Sequence, residues 1–258
     1  DTSLTDPNKW TKNIEVPKFD DNGDEIEYTI NEVIPTLENN YTYIKTINNY
    51  SITNQLARNL TVTKKWIDNN NSYLTRPSNV VIKVLQNNKE YKTVTITGDY
   101  TTNEWSNSII VPIYDAEGNE YTYTLEELKV DNYSTTYDST NLTFTNKLTG
   151  EEKITITKEW LDNSNTYNTR PLSIDINLNQ NNKLYKKITL SGTTNIWKSN
   201  EITVPKYDDN GIKYNYTIEE INTLNEYGLI DYDQNSYKIT NKLKNTTNIT
   251  ITKTWIDG

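Results

Sequence analysis

The sequence predicts an all-β chain of tandem Ig-like Greek-key β-sandwich domains, and three observations carry that prediction. Short runs alternate aromatic or β-branched residues with polar ones, the pattern of strands with one buried face. Clusters of Asn, Asp and Gly punctuate the runs, among them Asn87-Asn88 and Asp115-Ala116-Glu117-Gly118-Asn119, and such clusters favour tight turns. The whole series then recurs with a period of about 94 residues, the size of a small domain rather than of a solenoid repeat.

One copy reads Lys64-x-Trp66, Arg76-Pro77, Trp105, Val111-Pro112, Tyr114-Asp115, Gly118, Tyr123-Thr124-Leu125-Glu126-Glu127 and Thr145-Asn146-Lys147-Leu148. The next reads Lys158-x-Trp160, Arg170-Pro171, Trp197, Val204-Pro205, Tyr207-Asp208, Gly211, Tyr216-Thr217-Ile218-Glu219-Glu220 and Thr240-Asn241-Lys242-Leu243. About seven strands fit each copy, near 60–67, 79–86, 90–97, 106–113, 120–127, 132–138 and 141–147 in the first complete one. Such a set suits two packed sheets.

The ends hold partial copies. Residues 1–56 carry Trp10, Val16-Pro17, Phe19-Asp20, Gly23, Tyr28-Thr29-Ile30-Asn31-Glu32 and Thr53-Asn54-Gln55-Leu56, without a Lys-x-Trp strand. The expected division is therefore a C-terminal part of one domain at 1–56, complete domains at 57–148 and 149–245, and an opening strand at 246–258. A partial copy would expose a sheet edge and half its core until further chain, or a strand from a neighbouring molecule, completes it. The connections Leu56–Leu60 and Leu148–Lys153 are short, so neighbouring repeats of the same chain are the first expected partners.

Composition narrows the function. Only 33% of the 258 residues are hydrophobic, a fraction that would suit disorder, but 20 tyrosines and 6 tryptophans fall mostly in the alternating runs. Without cysteine there is no disulfide staple, and without histidine there are no His-based metal sites, Ser-His-Asp triads or Cys-His pairs. A net charge of -9 argues against a nucleic-acid partner. No apolar stretch reads as long enough to span a bilayer and no signal peptide is visible. The lack of methionine reads as a window from a longer chain, and no metal or other cofactor is expected.

Three polar residues per copy share strand parity with core residues. Lys64 lies between Val62 and Trp66, Glu127 follows Tyr123 and Leu125 at steps of two, and Asn146 lies between Phe144 and Leu148. The second set is Lys158, Glu220 and Asn241; the partial copies hold Glu32 with Asn54, and Lys253 alone. Internal comparison selects the glutamate: Glu126 and Glu219 become Asn31, whereas Glu127, Glu220 and Glu32 persist. A buried lysine tends to become neutral and hence nucleophilic. Held against a carboxamide at high effective concentration, with a glutamate to shuttle protons, it would form a Lys–Asn isopeptide bond and release ammonia. Each domain would react once, on itself, so the chain is not expected to be an enzyme in the turnover sense. A buried Lys–Glu ion pair with Asn completing its hydrogen bonds uses the same geometry, and both readings stand at this point. A lysine snorkelling near the barrel mouth is a third, and the matching triad in two complete copies counts against it.

The frame Val62-Thr63-Lys64-Lys65-Trp66, the late Tyr123-Thr124-Leu125-Glu126-Glu127 and the closing Thr145-Asn146-Lys147 resemble the Cna B-type repeats of Gram-positive collagen adhesins and pilins. The resemblance covers essentially the whole chain. It implies isopeptide bonds Lys64–Asn146 and Lys158–Asn241 assisted by Glu127 and Glu220, with Asn54 and Lys253 lacking partners in this sequence. It implies an extracellular, cell-surface or cell-wall location in a structural stalk, with a host extracellular protein engaged through other domains. The alternative is a module whose repeats themselves bind a host protein or glycan, through outward tyrosines such as Tyr121 and Tyr214. Those are expected to be ordinary sheet-surface residues. Arg76-Pro77 and Arg170-Pro171 read as loops. The segments Phe19–Gly23 and Tyr207–Gly211 resemble fragments of a calcium loop, but they lie between predicted strands and read as turns.

Overall fold

The computed structural model describes residues 8–221, 224–245 and 249–257. Apart from one 3-10 turn at Asn163–Asn165, its regular elements are strands. The chain divides into two compact units, one made by the residues up to Leu60 with Ser108–Thr122, the other by Thr61–Asn107 with the residues from Tyr123 onward.

In the first unit β1 (Tyr41–Asn48) forms a hairpin with the start of β2 (Ser51–Ile67), in register from Tyr41 opposite Arg58 to Asn48 opposite Ser51. Residues 8–40 form no strand; Phe19 and Glu25 make an isolated bridge, and Trp10, Ile14 and Val33 are exposed. Leu56–Leu60, which the sequence marks as a short connection, lies inside β2. No Gly or Pro interrupts the alternation there, and Ala57 is fully buried. The equivalent connection at Thr149-Gly150 does break the strand, between β8 (Thr143–Leu148) and β9 (Glu151–Ile154).

The second unit holds the sheets that build the site. The end of β2 pairs in parallel with β8, and β8 pairs antiparallel with β7 (Tyr133–Asp138). A separate sheet has β3 (Asn79–Gln86) between β4 (Lys89–Thr97) and β6 (Tyr123–Glu127). The strand β5 (Glu104–Pro112) pairs with β2. The arrangement recurs: β10 (Thr157–Leu161) pairs in parallel with β17 (Lys238–Leu243), flanked by β13 (Ile196–Lys198) and β16 (Tyr227–Asp233). The other sheet has β11 (Ser173–Gln180) between β12 (Lys183–Ser191) and β15 (Tyr216–Glu220), and β14 (Ile202–Pro205) pairs with β9.

Alternation sets the buried faces: Val80, Ile82 and Val84 on β3, and Ile174, Ile176 and Leu178 on β11. Each core centres on paired indoles. Trp66 meets Trp105 edge-on at 5.0 Å and Trp160 meets Trp197 at 5.1 Å. The approach needs a glycine: a Cβ on Gly98 would lie 2.1 Å from the Trp105 ring. Asn87 and Asn88 (φ 49° and 63°) and Asn181 and Asn182 (φ 48° and 63°) turn the β3–β4 and β11–β12 hairpins in the left-handed region, which Asn tolerates. Residues 249–257 carry no strand pairing; the rest of the expected opening strand, 246–248 and 258, lies outside the described residues. Among the described residues no helix is long and apolar enough to cross a membrane.

Candidate cross-linking site

Parallel pairing brings the opening and closing strands side by side. Lys64 stands opposite Phe144 and Trp66 opposite Asn146, so Lys64 and Asn146 project from the same face of adjacent strands, one same-face step apart. Both are fully buried. Glu127, on β6 of the other sheet, reaches across: its Oε1 lies 2.9 Å from Lys64 Nζ, with the two side chains 2% and 0% exposed. The ammonium and the carboxylate form a buried ion pair. Thr135 Oγ1 donates to Glu127 Oε2 at 2.9 Å. The Asn146 carboxamide is buried with neither Oδ1 nor Nδ2 hydrogen-bonded, a costly state for an amide. Lys64 Nζ lies 4.7 Å from the centroid of the Trp66 ring, which walls the site.

In the third copy the asparagine joins the contact as well. Lys158 Nζ donates to Glu220 Oε2 at 3.1 Å and Asn241 Nδ2 donates to the same oxygen at 2.9 Å. One carboxylate oxygen thus gathers the amine and the carboxamide, while Asn241 Oδ1 and Glu220 Oε1 remain buried without partners. Burial pushes both lysine ammonium groups down, from an ordinary 10.5 to about 8, against the opposing pull of Glu127 and Glu220. An amine at that value is substantially unprotonated in mildly alkaline water and competent as a nucleophile. Glu126 and Glu219 face solvent.

The other singled-out residues are not enclosed. Asn54 Nδ2 donates to Glu32 Oε2 at 2.7 Å, reproducing the Asn–Glu half of the cluster, but Asn54 is exposed. Lys45, opposite Asn54 on β1, donates to Asn31 Oδ1 and to the Glu32 carbonyl, both at 2.8 Å. Lys253 is exposed, with Nζ 3.4 Å from the centroid of the Trp255 ring. In the turns, Asp20 Oδ1 accepts from the Asn22 and Asp24 amides, and Asp208 Oδ1 from the Asn210 and Ile212 amides, so these carboxylates close their own loops. Among the described residues no cluster of acidic groups has the makings of a metal site.

The residues read as simple loops form a second buried cluster beside the first. Arg76 Nε and Nη2 donate to the two oxygens of Asp68 at 2.6 Å each, and the Tyr133 hydroxyl donates to Asp68 Oδ2 at 2.9 Å. Arg76 Nη1 reaches the Thr102 carbonyl, and its Cζ lies 5.5 Å from the Trp66 ring. The third copy repeats the set with Asp162, Arg170, Tyr227 and Thr194. Burial would raise the Asp68 carboxyl, but the Arg76, Asn71 and Tyr133 hydrogen bonds outweigh it and hold the group below its ordinary range. The signal available in the sequence was the Asp two residues after the tryptophan of each Lys-x-Trp motif: Asp68, Asp162 and Asp257.

The fold and the two clusters define a class: tandem β-sandwich repeats with a buried lysine on the opening strand, a buried asparagine on the closing strand and a glutamate reaching the lysine from the other sheet. The chain belongs to the Cna protein B-type domain family, which it matches over residues 1–55, 60–147 and 154–242. It is 34% identical over 253 residues to a collagen adhesin of Staphylococcus aureus, covering 95% of this chain but only 20% of that protein. A crystal structure of a single B repeat unit of the collagen-binding surface protein of Staphylococcus aureus is 31% identical, covering 72% of this chain and 98% of that one, with a TM-score of 0.32. A two-repeat structure of the same protein is 28% identical over 82% of this chain and 57% of that one, with a TM-score of 0.33.

Proposed function

We propose that the chain is a run of stalk or spacer repeats from a cell-surface adhesin or pilus-like protein, and that each complete repeat cross-links itself by a Lys–Asn isopeptide bond. The observation that carries this is the recurrence of one enclosed cluster: a lysine with lowered proton affinity, a glutamate against it, and a carboxamide with unmet hydrogen bonds. In the first complete repeat the Lys64 ammonium passes a proton to Glu127, and the free amine attacks Cγ of Asn146. The attacking nitrogen loses a second proton to the glutamate as the glutamic acid protonates the amide nitrogen. Attack has formed the Lys–Asn C–N bond; collapse of the tetrahedral intermediate then restores the carbonyl, breaks the original C–N bond and expels ammonia, which takes the proton remaining on the glutamic acid and leaves as ammonium. Lys158, Glu220 and Asn241 do the same in the next repeat. The chain performs this once per repeat and is not a turnover enzyme. Asn54 with Glu32, and Lys253, are the acceptor and donor halves of the same chemistry.

The proposed domains are 1–56, 57–148, 149–245 and 246–258. Their partners are neighbouring repeats, at the cell surface or in the cell wall, and contact with a host extracellular protein is assigned to domains outside these repeats. Closing a loop of about 80 residues would contribute about 4 kcal/mol by the chain-entropy argument used for disulfides. The test is the intact mass of the denatured full chain. A deficit of two ammonia masses, mapped by digestion to Lys64–Asn146 and Lys158–Asn241, is the expected result, and Glu127→Ala should remove one of them while Glu126→Ala removes none. Full mass in correctly folded chain would leave two buried ion-pair networks and no cross-link.

A further inference from the structure

The turn between β14 and β15 touches the preceding repeat at several points. Asn69 N donates to the Asn210 carbonyl at 3.2 Å, and Lys213 N donates to the Tyr73 hydroxyl at 2.8 Å. The rings of Tyr73 and Tyr207 lie 5.3 Å apart, and Lys147 Nζ pairs with Asp209 Oδ1 at 2.6 Å. Gly211 (φ +73°) sits against backbone: a Cβ there would lie 2.5 Å from Asp68 Cα and 2.9 Å from both Asp68 N and Ile67 O. Backbone cannot swing aside as a flexible side chain can, so this seat accepts only glycine. The surface it fits is the outer side of Asp68, whose carboxylate holds Arg76.

The same positions in the partial copy are chemically different in a matched way. Gln55 stands where Lys147 does, and Ala116 where Asp209 does. The neutral Gln55 Nε2 donates to the Tyr114 carbonyl at 2.9 Å. One junction is thus Lys with Asp and the other Gln with Ala. The turn Asp20–Gly23 carries Asp21 at the Asp209 position, and the third closing strand carries Lys242 at the Lys147 position; both are exposed and both are of the charged type.

We propose that the Asp208–Gly211 turn is a docking element whose partner is the preceding repeat, and that the residue after each cross-link asparagine forms a matched pair with the residue two before the turn glycine, setting which repeat fits behind which. Glycine packing and the tyrosine pair supply the seat. The ion pair, whose Asp209 side chain is 95% exposed, supplies discrimination more than strength. This does not depend on the isopeptide reading, since docking is read from amide exchange and the cross-link from mass.

The experiment is amide hydrogen exchange on the full chain, read at Asn69 and Lys213. The parent should protect both amides. Gly211→Ala should raise their exchange about tenfold or more, leaving Ile82 and Ile176 in the cores unchanged. Gly118→Ala is the strain control: its φ of +85° is as unfavourable to alanine, but its Cβ would meet nothing within 4 Å, so Asn69 and Lys213 should not respond. Asp209→Lys should raise exchange about threefold, and adding Lys147→Glu should restore it. Unprotected Asn69 and Lys213 amides in the parent, or no response to Gly211→Ala, would overturn the docking seat. Failure of the charge swap to restore protection would overturn the pairing rule.

Discussion

Trp10, Trp105 and Trp197 hold the same place in three copies of one pattern, yet they are 85%, 3% and 2% exposed. Val16, Val111 and Val204 follow suit at 49%, 0% and 1%. The complete copies possess an opening strand, and that strand brings Trp66 or Trp160 to lie edge-on against the second indole. Residues 8–40 have the apolar residues but no such strand beside them, and they form no strands of their own. The polar cluster divides the same way: Asn241, which donates to Glu220, is buried, whereas Asn54, with the equivalent contact to Glu32, is exposed. One strand therefore supplies the core's second tryptophan and the site's nucleophile together.

The sharpest way to break this comparison is to truncate the same tryptophan in two settings. Trp105→Ala should cost about 3–5 kcal/mol of unfolding free energy by chemical denaturation, whereas Trp10→Ala should stay within about 0.5 kcal/mol. Similar losses would mean that Trp10 is packed after all. Next in size is Arg76→Ala, which leaves the Asp68 carboxylate buried and unpaired, and should cost about 3 kcal/mol or more. Because the folded state holds Asp68 below its ordinary value, its contribution is fully present above that value and is lost as pH falls through the folded one. Acid titration of Arg76→Ala should accordingly show less of that loss than the parent.

A pH slope would separate reacted from unreacted lysine. In a chain carrying Asn146→Ala and Asn241→Ala, Lys64 and Lys158 keep their amines. Their folded values near 8 lie below the ordinary 10.5, so between those limits the unfolded chain binds more protons and stability should rise with pH. A parent cross-linked as proposed would have amides at these positions and should lack that rise; equal slopes in the two chains would contradict the bond. The smallest effect expected is from Asn54→Ala, within about 0.5 kcal/mol, since its side chain is exposed.

The strands were legible because alternation and Asn-rich turns are local signals: Asn79–Gln86 and Tyr133–Asp138 fall within a residue of where the pattern places them. The burial of Lys64, Asn146 and the Glu127 side chain was legible through parity, and Asn31 standing where Glu126 does distinguished the two glutamates. The partnership of Asp68 with Arg76 and Tyr133 was not, because it joins groups up to 65 residues apart through side-chain reach rather than strand register. Nor was the single strand through Leu56–Leu60, since a short segment without turn residues reads equally as a link or as a continuation.

The parallel register between β10 and β17 has a mechanical meaning. The chain enters this strand pair at the start of β10 and leaves it at the end of β17, so pulling on the two ends drives adjacent strands in opposite directions along their length. Five register pairs, from Thr157 opposite Lys238 to Leu161 opposite Lys242, then share the load in shear instead of parting one at a time as in an unzipped hairpin. With Lys158 and Asn241 one same-face step apart on that ladder, a bond between them would lie almost along the line of pull, like a rivet through a lap joint.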